Sequence, residues 1–265
     1  MNPRKPIYLI HHIPKTGGVS IRNWLVQHLG MHQGMIHHGV MGELFCMEHQ
    51  LPFLEQMTVE QRRGLRVVIG HYVKETTADL FPDREILRLI VLRDPVKRLI
   101  SQYNHAMTFW CEGMRRPRID FYEWFEHYVI KTYDYKDAIR RQGLTPELAF
   151  QSQASLGPNY MARFIAQNFD KVEWLSLEPA AFASKISSLL ENFWQVGLTE
   201  RLDIFVAKLA EELGIPANLP HSNRGSGRRI YLEPDEELIA FIRQRNRADF
   251  LIYDHWKKKV STGGE

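Results

Sequence analysis

The chain has 265 residues, of which 44% are hydrophobic, and its formal net charge is +3 at pH 7. These values fit a globular protein, and the mild positive charge suits an anionic ligand but falls short of what nucleic-acid-binding proteins carry. The two cysteines, Cys46 and Cys111, imply no disulfide framework and favour a reducing compartment.

The sequence shows no targeting or metal-binding pattern. The apolar run Tyr8–Ile13 is too short for a signal peptide, and no stretch reaches the roughly 18 apolar residues of a membrane span. No cysteine and histidine cluster has the spacing of a zinc site. We therefore expect a soluble, cytoplasmic protein without a bound metal or a membrane span.

The turn that follows the first predicted strand, Ile7–Ile13, is the most informative stretch. It spans Pro14–Ser20, contains two adjacent glycines, and leads into apolar spacing that predicts a helix over Val19–Leu29. The first N–H groups of a helix have no intrahelical acceptor, and the helix dipole favours negative charge there. Lys15 adds a positive charge, so the turn predicts a phosphate- or sulfate-binding site.

Two further apolar runs predict buried strands at Arg66–Ile69 and Glu85–Leu92. His71 follows the first of them after one glycine, and Arg93 follows the second directly. Both polar residues are therefore expected at the carboxyl ends of strands, where ligands of parallel sheets bind.

The rest of the chain continues the alternation of helices and strands. Residues 30–50 and 216–229 have no clear period, and we expect irregular structure there. Further strands are predicted at Val172–Leu177 and Trp194–Leu198. Helices are predicted at Val96–Phe109, Phe121–Ile130, Asn159–Gln167, Ala180–Glu191, Leu202–Leu213 and Pro234–Arg247, with a short helix near Tyr253. This alternation predicts one α/β domain over residues 1–265, with a doubly wound, mainly parallel sheet flanked by helices.

The order of residues in the first turn excludes the Walker pattern, in which the lysine follows the second glycine. Here Lys15 precedes Gly17 and Gly18. The order Pro-Lys-Thr-Gly-Gly-Val-Ser instead resembles the 5′-phosphosulfate loop of sulfotransferases that use 3′-phosphoadenosine 5′-phosphosulfate. The run Val-Leu-Arg-Asp-Pro-Val-Lys-Arg-Leu-Ile-Ser-Gln-Tyr at 91–103 is similar to the 3′-phosphate motif of that family.

Weaker similarity to this family continues at 159–164, 196–203 and 249–253, so the resemblance covers nearly the whole chain. The form His-Ile-Pro-Lys-Thr-Gly-Gly is most similar to the carbohydrate branch, which is related to heparan and uronyl 2-O- and 6-O-sulfotransferases and has bacterial members. The resemblance implies transfer of a sulfuryl group from the phosphosulfate nucleotide to a hydroxyl, on a saccharide by similarity to that branch. Adenosine 3′,5′-bisphosphate would be the product, and no metal would be needed.

The resemblance also implies which residues contact the donor. The 5′-phosphosulfate end would meet the residues of the turn, Pro14, Lys15, Thr16, Gly17, Gly18, Val19 and Ser20. The 3′-phosphate would meet Arg93 and Ser101, and a late loop would add Arg228 and Arg229. Lys15 would stabilise charge on the bridging oxygen. Thr16 and Ser20 are also candidate caps of the first helix.

His71 is the expected general base, because the resembling branch has a catalytic histidine after a comparable strand. Histidine ordinarily has a pKa of about 6.5, so it can accept a proton at neutral pH. His12, which is closer to the turn, and a carboxylate such as Glu75 are the alternatives.

Other functions remain open on the sequence alone. A nucleotide kinase or other phosphotransferase would need the Walker lysine, which is missing. A catalytically silent nucleotide-binding protein would keep the turn, but the presence of Arg93, Ser101 and His71 argues against it. The acceptor could also be a peptide tyrosine, a lipid-linked sugar or a small metabolite.

Overall fold

The computed structural model describes residues 5–30, 44–46, 52–130, 157–219 and 230–262. The strands are β1 Ile7–His11, β2 Leu44–Cys46, β3 Val67–Gly70, β4 Ile86–Leu92 and β5 Gln195–Leu198. The helices are α1 Gly18–Leu29, α2 Pro52–Gln56, α3 Val59–Arg63, α4 Pro95–Met107, α5 Phe121–Trp124, α6 Tyr160–Asn168, α7 Pro179–Leu190, α8 Leu202–Leu213, α9 Glu236–Arg245 and α10 Arg247–Thr262. Short 3-10 helices lie at Glu75–Leu80, Val172–Ser176 and Thr199–Arg201, and π-helical turns lie at Thr108–Gly113 and Phe125–Ile130.

The five strands form one parallel sheet in the order β2-β3-β1-β4-β5. The chain first moves from β1 toward β2 and β3 on one side, and then crosses to β4 and β5 on the other side. In open α/β sheets, ligands bind outside the carboxyl ends of the strands where the strand order reverses. Here that point lies at β1, between β3 and β4.

Side chains of β1 alternate between two apolar clusters, one on each face of the sheet. Tyr8 and Ile10 pack with residues of α1 and α8, whereas Ile7 and Leu9 pack in a second cluster with Leu54 of α2. Because helices cover both faces, the sheet is doubly wound. The predicted α/β class, with a parallel sheet flanked by helices, is confirmed.

Two predicted elements differ from the structure. The run predicted as a strand at Val172–Leu177 is a 3-10 helix over Val172–Ser176, in which Val172 is 53% exposed. Its apolar residues are too few and too exposed to form a buried central strand, so the backbone satisfies itself with local i to i+3 hydrogen bonds. Within the predicted irregular stretch 30–50, residues Leu44–Cys46 pair with β3 as an edge strand.

The C-terminal helices also differ from the prediction. The helix predicted to reach Arg247 ends at Arg245, and Asn246 separates it from α10. The short helix predicted near Tyr253 is part of α10, which has 16 residues. No helix among the described residues is long and apolar enough to cross a membrane.

The described residues form two compact units that are interleaved along the chain. The first consists of the described parts of Met1–Arg93, Met161–Arg224 and Ile252–Glu265 and contains the sheet. The second consists of the described parts of Asp94–Tyr160 and Gly225–Leu251, with an apolar core from α4, α5 and α9. The single domain over residues 1–265 stays a prediction.

Candidate functional site

The polar residues predicted at strand ends all lie at the carboxyl end of the sheet, in the first unit. Because β3, β1 and β4 are neighbours and parallel, their carboxyl ends lie side by side. His11 at the end of β1 is in register with Gly70 of β3 and with Ile90 of β4. The chain therefore leaves all three strands at the same end of the sheet, where it forms the turn after β1 and continues to His71 after β3 and to Arg93 after β4.

The turn between β1 and α1 contains two residues in the left-handed region, Lys15 with a φ of 71° and Gly17 with a φ of 93°. Gly17 is the N-cap of α1, and the Ser20 N–H donates to its carbonyl at 3.0 Å. The N–H groups of Gly18 and Val19 therefore precede the first hydrogen bond of the helix. No acidic side chain lies in that first turn. The start of α1 can thus donate hydrogen bonds to an anion.

Thr16 stabilises the turn from inside. Its hydroxyl donates to the Ile13 carbonyl at 2.9 Å, and the residue is only 1% exposed. The N-cap Gly17 has no side-chain cap bond, so the prediction that Thr16 or Ser20 caps α1 is wrong. The Thr16 hydroxyl proton is directed at the backbone of its own turn rather than at a ligand.

Arg93 and Thr199 donate hydrogen bonds to main-chain carbonyls of the turn. The Arg93 guanidinium donates from Nη1 to the Lys15 carbonyl at 2.8 Å. The Thr199 hydroxyl lies 2.8 Å from the Thr16 carbonyl and 3.1 Å from the Leu92 carbonyl. These contacts fix the turn to the ends of β4 and β5, and they place Arg93 beside Lys15. Sequence analysis missed Thr199, whose one signal is its position directly after the last residue of a buried strand.

His71 is joined to the segment between β1 and the same turn. Its ring Nδ1 lies 2.6 Å from the carbonyl oxygen of His12. A carbonyl only accepts hydrogen bonds, so Nδ1 carries the proton and the lone pair of the neutral ring is on Nε2. The Asn168 amide donates to the His71 carbonyl at 3.4 Å. The ring is therefore in the tautomer that can accept a proton at Nε2, as a general base must.

His11 anchors the loop that carries His71. It is buried, and its Nδ1 lies 2.9 Å from the Val73 carbonyl, to which it donates. Its ring packs against Phe169 and Phe193. Burial lowers the pKa of the His11 imidazole to about 3, so this ring is neutral at pH 7.

The alternative bases are held in other interactions. His12 is 5% exposed, and its ring stacks on that of His71 with centroids 4.3 Å apart. Glu75 lies 4.0 Å from the ammonium of Lys171. Among the described residues, no group of three histidine, cysteine, aspartate or glutamate side chains is arranged to hold a metal ion.

The remaining predicted donor contacts lie elsewhere. Ser101 is half-buried on α4 in the second unit, where Asp94 caps the helix by accepting from the Lys97 N–H at 2.9 Å. Arg228 and Arg229 lie outside the described residues. The 3′-phosphate contacts of these three residues stay predictions.

The similarity of this chain to known proteins is structural, with low sequence identity. No family model matches the sequence, and no curated protein matches it. Among solved structures, the chain is similar to a sulfotransferase from Alicyclobacillus acidocaldarius, with 16% sequence identity and a TM-score of 0.45. The match covers 94% of this chain and 95% of that chain. This similarity is too low to assign an activity.

Proposed function

We propose that this protein is a sulfotransferase that moves the sulfuryl group of 3′-phosphoadenosine 5′-phosphosulfate to a hydroxyl of a saccharide. The observation that carries the proposal is the hydrogen bond from His71 to the His12 carbonyl. It joins a histidine in the tautomer of a general base to His12, two residues before the glycine-rich turn that contains Lys15. A base and a cationic anion-binding turn are the two parts that this transfer needs.

The turn is proposed to bind the 5′-phosphosulfate end of the donor. The N–H groups at the start of α1 are available for phosphate oxygens, and the helix dipole favours the negative charge. The order of Lys15 before Gly17 and Gly18 supports a phosphosulfate over the triphosphate of a Walker protein. Lys15 then stabilises the charge that develops on the bridging oxygen.

His71 is proposed as the general base. Its Nε2 takes the proton of the acceptor hydroxyl while the acceptor oxygen forms a bond to sulfur. The bond between sulfur and the bridging oxygen breaks, and its electron pair stays on that oxygen, near the Lys15 ammonium. The protein supplies proton transfer, alignment and charge stabilisation, and it forms no covalent intermediate.

Arg93 is proposed to bind the 3′-phosphate, because a guanidinium offers several N–H donors in one plane. Its bond to the Lys15 carbonyl uses one donor and places the residue at the turn. Ser101, Arg228 and Arg229 are proposed for the same phosphate from the sequence resemblance alone. The saccharide acceptor also rests on that resemblance.

Calorimetry with nucleotides tests the donor site. We expect adenosine 3′,5′-bisphosphate to bind at least about 10-fold more tightly than ATP without metal, because ATP lacks the 3′-phosphate. Tighter ATP binding that requires Mg²⁺ would instead support a phosphotransferase.

Transfer of ³⁵S from labelled donor tests the base and the acceptor. We expect His71→Ala to lower turnover by about 10²- to 10⁴-fold, while the affinity for the bisphosphate changes less than about twofold. An unchanged rate would reject His71 as the base. A panel of a polysaccharide, a tyrosine peptide and a small phenol identifies the acceptor, and label in the peptide or phenol alone would reject the saccharide.

A further inference from the structure

His12 is linked to His71 through its main chain. The His12 N–H donates to the Gly70 carbonyl at 3.1 Å, and its own carbonyl accepts from His71 Nδ1 at 2.6 Å. The first bond continues the pairing of β1 with β3 by one residue, and the second restrains Nδ1 of His71. A single hydrogen bond tolerates a range of angles, so the ring could still tilt by rotations about its Cα–Cβ and Cβ–Cγ bonds.

The ring of His12 removes that remaining freedom. It stacks on the His71 ring with centroids 4.3 Å apart and planes inclined by 32°. Because two aromatic faces in contact restrict tilting, the His71 ring is held in orientation as well as in position.

Gly18 packs closely against the His12 ring. A Cβ atom added at Gly18 would lie 1.9 Å from His12 Cδ2 and 2.1 Å from its Nε2. The ring thus occupies the space that any side chain at position 18 would need. The second glycine of the turn is required by the histidine packed on it, whatever else the turn binds.

We infer that His12 is a positioning residue: its carbonyl restrains Nδ1 of His71, and its ring, packed against Gly18, holds the orientation of the His71 imidazole. This inference rests on the proposed function, in which Nε2 of His71 accepts the proton. General-base catalysis depends on geometry within fractions of an ångström, and a displacement of about 1 Å can cost about 100-fold in rate. His12 is 5% exposed and packs against His71 and Gly18, which leaves its ring little access to a substrate hydroxyl.

Two variants of His12 separate positioning from catalysis, since both retain the main-chain carbonyl. We expect His12→Ala to lower kcat by about 10- to 100-fold with the donor KM changed less than about twofold. His12→Phe retains a flat ring and should return kcat to within about fivefold of the wild type. Unchanged turnover in His12→Ala overturns the inference. Loss of turnover in both variants to the level of His71→Ala also overturns it, because a ring nitrogen of His12 would then take part in the chemistry.

Nitrogen-15 NMR of the histidine rings tests the inference without turnover. In both the wild type and His12→Ala the proton should stay on Nδ1 of His71, because the His12 carbonyl is retained, but relaxation of the His71 ring nuclei should show larger ring motion in the variant. Unchanged ring relaxation in that variant overturns the inference even if the protein transfers no sulfuryl group. Absent transfer with larger ring motion rejects the proposed function and leaves the positioning role standing.

Gly18→Ala perturbs the His12 ring without changing residue 12. It places a methyl group against that ring, whereas a Cβ at Gly64 makes an ordinary contact of 3.5 Å with the Gln61 carbonyl. We expect Gly18→Ala to increase the motion of the His71 ring and Gly64→Ala, the control, to leave it as in the wild type. Unchanged ring motion in Gly18→Ala would contradict the supporting role of Gly18.

Discussion

Lys15 has a backbone conformation that residues other than glycine rarely adopt. Its φ of 71° lies in the left-handed region, and the next residue but one, Gly17, has a φ of 93°. For a residue with a Cβ atom this conformation costs about 1 to 2 kcal/mol. The Arg93 guanidinium holds the carbonyl of Lys15, which helps to keep the strained turn in place. This strain is at a lysine of the turn that we propose binds the donor, so the backbone and the amine of residue 15 can be tested separately.

Replacing Lys15 separates its amine from its backbone conformation. Lys15→Ala and Lys15→Gly both remove the amine, and we expect either to lower turnover by about 10²- to 10³-fold. Glycine relieves the left-handed strain and alanine does not, so Lys15→Gly should be about 1 kcal/mol more stable than Lys15→Ala.

Chemical denaturation and the sulfate-transfer assay measure these two effects. Equal stability of the two variants would mean that residue 15 is not left-handed in solution. Turnover that survives either change would remove Lys15 from the proposed mechanism.

At this scale the sequence predicted residue types at the site but not their contacts. The turn with Lys15 was visible because strand, glycines and helix are contiguous. The bonds from His71 to His12 and from Thr199 to Thr16 join positions 59 and 183 residues apart. Nothing in a local pattern encodes such pairs, since they follow from strand order. Thr16 was wrongly predicted as a cap of α1, because its hydroxyl instead donates to the Ile13 carbonyl, which the folded turn brings within reach.

The elements around the sheet depend on small residues where a helix approaches a strand closely. Gly197 lies in β5, in register with Val91 of β4. A Cβ atom at this position would lie 2.4 Å from the ring of Phe205, which is 1% exposed on α8. The close contact between α8 and β5 therefore requires glycine.

Gly197→Ala tests this packing. We expect a loss of about 1 to 3 kcal/mol in the free energy of unfolding, because a buried phenyl ring must move or the strand must shift. Phe205→Leu in the same chain should recover part of that loss, and a double-mutant cycle measures the coupling.

Gly64→Ala is the control, since its Cβ would make an ordinary contact of 3.5 Å at a right-handed backbone position. It should be neutral or slightly stabilising. Additive effects of the changes at 197 and 205 would contradict the packing argument.

The fold could be predicted where an apolar run is fully buried, as in β1, or where an apolar stripe follows the helical period, as in α8. The prediction was wrong at Val172–Leu177, where a few apolar residues resemble a strand but Val172 is exposed. The N-terminus of α10 shows another limit. The side-chain oxygen of Asn159 accepts from the N–H of Ala248 at 2.9 Å, across 89 residues. A cap supplied from so far along the chain leaves no sign in the residues next to the helix, which explains why α10 was predicted as a short helix.

For the molecule as a whole, the buried His11 makes the free energy of unfolding depend on pH in the acidic range. Its folded-state pKa of about 3 is below the ordinary value of about 6.5, so below pH 6.5 the unfolded chain binds more protons than the folded one. The contribution of this neutral ring is complete above about pH 6.5 and is lost as the pH falls from there toward 3.

His11→Phe removes this titration. We expect the difference in unfolding free energy between wild type and His11→Phe to change by about 2 kcal/mol between pH 7.5 and pH 5, with the wild type losing stability relative to the variant. Urea denaturation at a series of pH values measures it, with His127→Gln as the exposed control. Parallel profiles for wild type and His11→Phe would show that His11 is accessible to protons in the folded state.

The strand order has a consequence during synthesis. β4 ends at Leu92, but its neighbour β5 begins only at Gln195. At about 5 to 20 residues per second, a ribosome needs about 5 to 20 s to make the intervening chain. For that time β4 is an unpaired sheet edge, able to pair with strands of other nascent chains. Chaperones that cover exposed strands should therefore affect the yield of this protein most during the interval between translation of β4 and of β5.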